Sequence, residues 1–261
     1  MTSPAQASSI APAFPRFFNI GGCWINSYKV FLCVGVYLGI LLSAAVGDQS
    51  GIGPLRLGIG CLLCAILGMV GARLFHLGVH YRTYRRQGLL RDAWNPQRSG
   101  WSVFGGLVIV PVTLAFDTFI GVPVPVFWDH MAFGIAFGGA WIRFGCVCNG
   151  CCVGKPSQCW FALRQHDVHG VTRRRLPVQW LEIGWWLLAV LGLFWLWPLR
   201  LPSGSYALGV LCWYGLGRFW LEPMREVPDK VLGGVRINQV VAAALAGGAG
   251  GALFLLTTTP R

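Results

Sequence analysis

What most constrains this chain is a series of long apolar runs separated by short polar stretches. They cover residues 28–46, 55–77, 101–120, 127–142, 177–197, 205–221 and 237–256. As helices, runs of roughly 17 to 25 apolar residues match the hydrocarbon thickness of a bilayer. Backbone groups in lipid must be satisfied internally, which favours helices. Only 11% of the residues are charged, against roughly 25% in ordinary soluble domains. The expectation is an all-α integral membrane protein with about seven transmembrane helices. A small polar head segment, residues 143–176, falls between helices 4 and 5. Residues 1–27 read as an N-terminal segment and 28–261 as a single transmembrane domain. No soluble domain offers a platform for nucleic acid, so that class is set aside. Ile20-Gly-Gly-Cys23 superficially resembles a lipidation box, but no hydrophobic run precedes it. Residues 1–25 do not read as a secretory signal either.

The charge that remains is selective. Net charge is +12, and 18 of the 21 cations are arginine. The forked guanidinium matches phosphate and carboxylate better than an ammonium does. The plain reading is loop arginines meeting anionic head groups; the sharper one is a bound lipid phosphate. Ionisable residues at membrane depth are the best functional pointers. Here they are Arg73, Asp129, Arg143, Glu182, Arg218, Glu222 and Arg225. All seven are expected at same-side helix ends, converging into one pocket under the Arg143 segment. The alternative is a set of paired charges that lock the bundle. Arg218, Glu222 and Arg225 are spaced by four and three residues, which puts them on one helical face.

Arg143 to Gly154 reads Arg-Phe-Gly-Cys-Val-Cys-Asn-Gly-Cys-Cys-Val-Gly. Glycines this dense permit close backbone approach. Cys146, Cys148, Cys151, Cys152 and Cys159 crowd into fourteen residues, with His166 and His169 behind them. Cys148-Asn-Gly-Cys151 is a CxxC. Tetrahedral zinc ligation and a dithiol redox pair are both open to such a cluster. Small apolar packing in a tight loop is the preferred reading, with no metal and no cofactor expected. The Arg173–Arg175 run reads as a lipid-facing or solvated loop.

The Arg143–Gly154 stretch, continued by Lys155-Pro156, resembles the signature of the prolipoprotein diacylglyceryl transferase family. Other pieces agree in order. Ser27-Tyr28 opens the first helix as the family's tyrosine does, and Gly71-Ala-Arg73-Leu resembles its second-helix arginine motif. Asp129 stands where the family has an aspartate ahead of the signature. Leu176-Pro-Val-Gln179-Trp-Leu-Glu182 and Arg218-Phe-Trp-Leu-Glu222-Pro-Met-Arg225 resemble two further family motifs. The resemblance implies a seven-helix enzyme that moves diacylglycerol from phosphatidylglycerol onto a lipobox cysteine, forming a thioether and releasing glycerol 1-phosphate. It implies catalytic roles for Arg143, Arg218 and Glu222. Tyr28, Arg73, Asp129, Asn149, Gly150, Gly154, Glu182 and Arg225 are then expected to bind substrate. The implied partners are phosphatidylglycerol or a similar anionic phospholipid, a prolipoprotein signal peptide and the membrane.

The chain also departs from the family pattern. Phe104 stands before Gly105-Gly106, where the family has its catalytic histidine. Cys151 occupies the signature's glutamate position, Cys146 its first asparagine position, and Leu176 the histidine of the Pro-x-Gln motif. The replacement base is sought among Glu222, Asp129, His76 and Cys151. By charge alone the arginine-rich loops would face the cytoplasm. The resemblance implies the periplasmic side of a bacterial inner membrane, and that placement is adopted. Three alternatives stand beside the transferase: a paralogue with another acceptor, a non-catalytic anionic-lipid binder, and a cysteine-based redox or metal membrane protein.

Overall fold

In the computed structural model, the described residues are 14–86, 88, 113–226, 231–232 and 235–259. A hairpin of β1 (Phe17–Ile20) and β2 (Cys23–Asn26) leads into α1 (Ser27–Gln49). Helices α2 (Pro54–Val79), α3 (Tyr81–Arg86), α4 (Phe116–Ile120) and α5 (Val124–Asn149) follow. A second antiparallel hairpin, β3 (Leu163–His166) with β4 (Thr172–Arg175), precedes α6 (Val178–Leu196). Helix α7 (Ser205–Leu221) comes next, then the short pair β5 (Val231–Leu232) and β6 (Val235–Arg236), and finally α8 (Ile237–Thr258).

Among the described residues, five helices are long and apolar enough to cross a membrane. They are Ser27–Gln49, Pro54–Gly78, Val124–Asn149, Val178–Leu199 and Ile237–Thr258. The all-α membrane architecture therefore holds. The sixth apolar run folds as the 17-residue helix α7. Most of the 101–120 run, Phe104 included, lies outside the described residues.

The sequence expectation is corrected in two places, and the Ile20–Cys23 box, already set aside as a lipidation site, is a hairpin turn. Gly21 and Gly22 both have positive φ, 58° and 85°, as a two-residue turn of the mirror-image type demands. The polar segment does not begin at Arg143, because α5 continues to Asn149 and carries Arg143, Cys146 and Cys148 on its last turns. It stops where Gly150 adopts φ +71°, a left-handed ending that glycine takes without strain. The second correction concerns Arg175, which is not solvated with Arg173 and Arg174. It is 1% exposed, bonded to Asp167 at 2.9 Å and paired with Glu226.

The chain forms two compact units. The first comprises residues 1–35, 136–199 and 208–261. There α1 and α5 meet at Gly35 and Gly138, where a Cβ on Gly138 would come within 2.6 Å of the Gly35 carbonyl oxygen. Small residues at such crossings let membrane helices pack backbone to backbone. Helices α6 and α7 are joined by Trp185 and Trp213. These rings stack at 4.1 Å, and each indole N–H donates to the other residue's carbonyl at 2.9 Å. The second unit comprises 36–135 and 200–207. Gly39 and Gly134 repeat the close crossing there, and Leu57, Cys61, Cys64, Phe116, Val122 and Phe127 form a buried apolar cluster.

Candidate functional site

The site is built in the first unit, from three helices and the segment after α7. Glu182 sits in the second turn of α6 and is almost wholly buried. Its carboxylate faces Arg143 of α5 at 3.2 Å and Arg218 of α7 at 3.6 Å, and it accepts a hydrogen bond from Arg225. A second buried carboxylate, Glu222, pairs with Arg218 at 2.7 Å and Arg225 at 3.7 Å. Asn238 of α8 donates to its other oxygen at 3.1 Å, and Arg236 donates to its backbone carbonyl. The i,i+4 and i,i+3 spacing read from sequence thus becomes a shared carboxylate. Arg236 and Asn238 were missed, because no spacing rule links 236–238 to residue 222.

The five side chains joined by ion pairs are three guanidiniums and two carboxylates, so one positive charge is left over among them even before Arg236 is counted. Their side-chain exposures are 19% for Arg143, 17% for Arg218 and 11% for Arg225, against 6% and 4% for Glu182 and Glu222. The carboxylates are sealed at the back and the arginines keep an open edge. A surplus cation in a poorly solvated place is costly unless an anion meets it.

The glycine–cysteine segment packs beside this cluster. Gly154 bridges to Arg225, Lys155 N donates to the Met224 carbonyl and Glu226 N to that of Val153. A Cβ on Gly154 would lie 2.1 Å from the Leu176 carbonyl oxygen, so only glycine fits. Gln179, one turn before Glu182, donates to the carbonyls of Cys146 and Cys151. Asn149 accepts a hydrogen bond from Asn26 at 2.8 Å, and Asn26 in turn accepts from the backbone of Tyr28. Tyr28 lies within electrostatic range of Arg143 and of Cys146, Cys151 and Cys152.

The Sγ atoms of Cys146, Cys151 and Cys152 all lie within 4.8 Å of one another. Cys148, the other half of the CxxC, is outside that group and buried. Hydrogen bonds from Cys146 and Cys151 pull the Cys152 thiol well below its ordinary range. Arg225 and Arg143 act in the same direction, and burial opposes them.

Two predicted residues belong to the second unit. Arg73 is buried on α2 in the second unit. Asp129, in the second turn of α5, accepts from the backbone N–H of Gly204 at 2.6 Å and of Ala207 at 2.9 Å. It therefore caps the start of α7, where orphan N–H groups need an acceptor. Of the seven ionisable residues expected to converge, Arg143, Glu182, Arg218, Glu222 and Arg225 are brought together within the first unit.

Residues 15–256 match the family described as prolipoprotein diacylglyceryl transferase. The chain belongs to that family. Among similar proteins is a phosphatidylglycerol–prolipoprotein diacylglyceryl transferase of Geobacillus kaustophilus, 27% identical over 91% of this chain and 90% of that protein. A protein of the same name from Streptococcus equi subsp. zooepidemicus is 26% identical over 88% of this chain and 90% of its own length. One from Rhodococcus jostii is 25% identical over 93% and 74%. All the charged residues of the cluster fall inside the family match.

Proposed function

We propose that this chain moves a diacylglyceryl group from phosphatidylglycerol to the lipobox cysteine of a prolipoprotein. It does so as a seven-helix protein of the bacterial inner membrane, with the arginine cluster toward the periplasmic side. The observation that carries the reading is the surplus cation of the Arg143–Glu182–Arg218–Glu222–Arg225 cluster, open on its arginine edge.

The chemistry asks for that charge. The acceptor thiol gives up its proton to solvent, and the thiolate attacks the glycerol carbon of the lipid. A C–S bond forms, the C–O bond to phosphate breaks, and glycerol 1-phosphate leaves with one more negative charge than the diester carried. Donors fixed where that charge develops lower the barrier, by about 2.7–4 kcal/mol for one well-placed group. Arg143 and Arg218 meet the phosphate, and Arg225 supports them. Glu182 and Glu222 hold the three guanidiniums apart and oriented. Glu222, with both oxygens engaged, acts here as a positioning residue and does not take the proton. Tyr28, Asn149, Gly150 and Gly154 shape the adjoining surface for the lipid head group. Asp129 serves the scaffold.

The test uses purified protein in detergent with labelled phosphatidylglycerol and a lipobox peptide, read by mass spectrometry. The expected product is the diacylglyceryl thioether, and Arg143→Ala should abolish it. If the wild type binds the lipid and no thioether forms, transfer to a lipobox cysteine is refuted. A different acceptor or a pure lipid binder then takes its place.

A further inference from the structure

The three-cysteine cluster is not used by the phosphate chemistry, and its construction is specific. Cys146 lies on the last turns of α5 and is 3% exposed. The chain then reverses: Gly150 takes φ +71°, Cys151 N donates back to the Cys146 carbonyl at 3.2 Å, and Cys152 takes φ +59°. A non-glycine residue in that region carries strain that the surroundings must impose. Gln179 supplies part of the restraint by holding the carbonyls of Cys146 and Cys151. The outcome is three free thiols facing one point, two of them partly open to the outside.

We propose that Cys146, Cys151 and Cys152 form a binding site for a thiophilic divalent cation of the zinc class. Thiolates bind zinc at about 2.3 Å, which places tetrahedral sulfurs about 3.8 Å apart. The observed cluster, all within 4.8 Å, needs only a small contraction. Soft thiolate donors favour zinc-like ions over magnesium or calcium. With every thiol proton lost to solvent, three thiolates and one divalent ion make a centre with a net charge of −1. A disulfide would use two of the three sulfurs and leave the third unexplained. Three protein ligands leave a fourth position open, as in catalytic metal sites. The centre replaces the preferred sequence reading of the cysteines as small apolar packing.

The experiment uses full-length protein in detergent, reduced and stripped with chelator, and titrated with Cd2+ alone. Expected is one ion per chain with a thiolate-to-cadmium charge-transfer absorption. Cys152→Ser should weaken binding by at least about tenfold, the smallest loss commonly seen even for groups that only support a ligand. Cys148→Ser should leave it unchanged. Cys146→Ser risks the helix end, so Cys152→Ser, with helix content checked by circular dichroism, decides the matter. Absence of the absorption in the wild type overturns the site. So does an equal loss in Cys148→Ser and Cys152→Ser. The readout is independent of transferase activity, so a failed transfer assay leaves this result standing.

Discussion

Each compact unit buries carboxylates, and the two handle them in opposite ways. In the second unit Asp129 is satisfied by backbone N–H groups of Gly204 and Ala207, fixed donors in the turn that opens α7. His130 beside it is tied to the Val126 carbonyl at 2.8 Å and to Ser50. This polar group is closed upon itself. In the first unit Glu182 and Glu222 are met by arginines, which bring more charge than the carboxylates cancel. A carboxylate satisfied by its own scaffold holds structure together. A carboxylate that leaves its partners with charge to spare holds those partners ready for something else.

The largest expected effect breaks the second arrangement at its hub. Glu182→Ala leaves three guanidiniums around a single carboxylate in a poorly solvated place. Removing one partner of a buried charge group costs about 3–5 kcal/mol, so a large fall in Tm in detergent is expected. A change of under about 1 kcal/mol would mean that the cluster is solvated and the charge argument fails. Next comes Arg218→Ala, which removes one guanidinium from both carboxylates. Transfer should fall by about 10² to 10³, the loss seen when one donor to a developing oxyanion is removed, with Tm less affected than in Glu182→Ala. An equal Tm loss with no selective fall in transfer would make Arg218 merely structural.

The difference between the units bears on what the sequence could reveal. The membrane class and, apart from run 101–120, the helix positions were legible, because apolar length follows from the bilayer alone. Run 205–221 became α7 residue for residue. The grouping of Arg218, Glu222 and Arg225 followed from helical spacing. The partners of Asp129 were not legible, because a charge at membrane depth looks the same whether backbone or an arginine satisfies it. Its true partners lie 75 and 78 residues away. The grouping of the cysteines was hidden for a related reason. CxxC spacing pointed to Cys148 and Cys151, whereas two left-handed residues turn the chain so that Cys146 and Cys152 face Cys151 instead. Positive φ at a cysteine leaves no mark in the sequence.

Asp129→Ala sharpens the comparison from the scaffold side. Loss of a helix-capping acceptor costs about 0.5–2 kcal/mol, so Tm should fall modestly. Transfer measured well below Tm should keep the wild-type kcat/KM. A strong loss of activity at unchanged stability would return Asp129 to the site.

The smallest effect concerns Asp167, in the turn of the β3–β4 hairpin, where both modes of satisfaction meet in one side chain. One oxygen accepts from the backbone N–H of His169 and Val171, and the other pairs with buried Arg175. Burial works against its charge, but the N–H groups of Val171 and His169, with the Arg175 guanidinium, outweigh it and hold the carboxyl below its usual range. A depressed carboxylate contributes stability that is fully present above the unfolded value, near pH 3.9. That contribution is lost as pH falls through the lower folded value. The hairpin should therefore exchange its amide hydrogens faster in that acid window, by no more than about 1 kcal/mol of opening energy at so exposed a turn. Asp167→Asn keeps the acceptor oxygen for the turn but loses the charge toward Arg175. It should flatten the acid dependence while leaving exchange at neutral pH only slightly faster. A full acid dependence in that variant would assign the titration to another carboxylate, with Glu226, the other partner of Arg175, the first to examine.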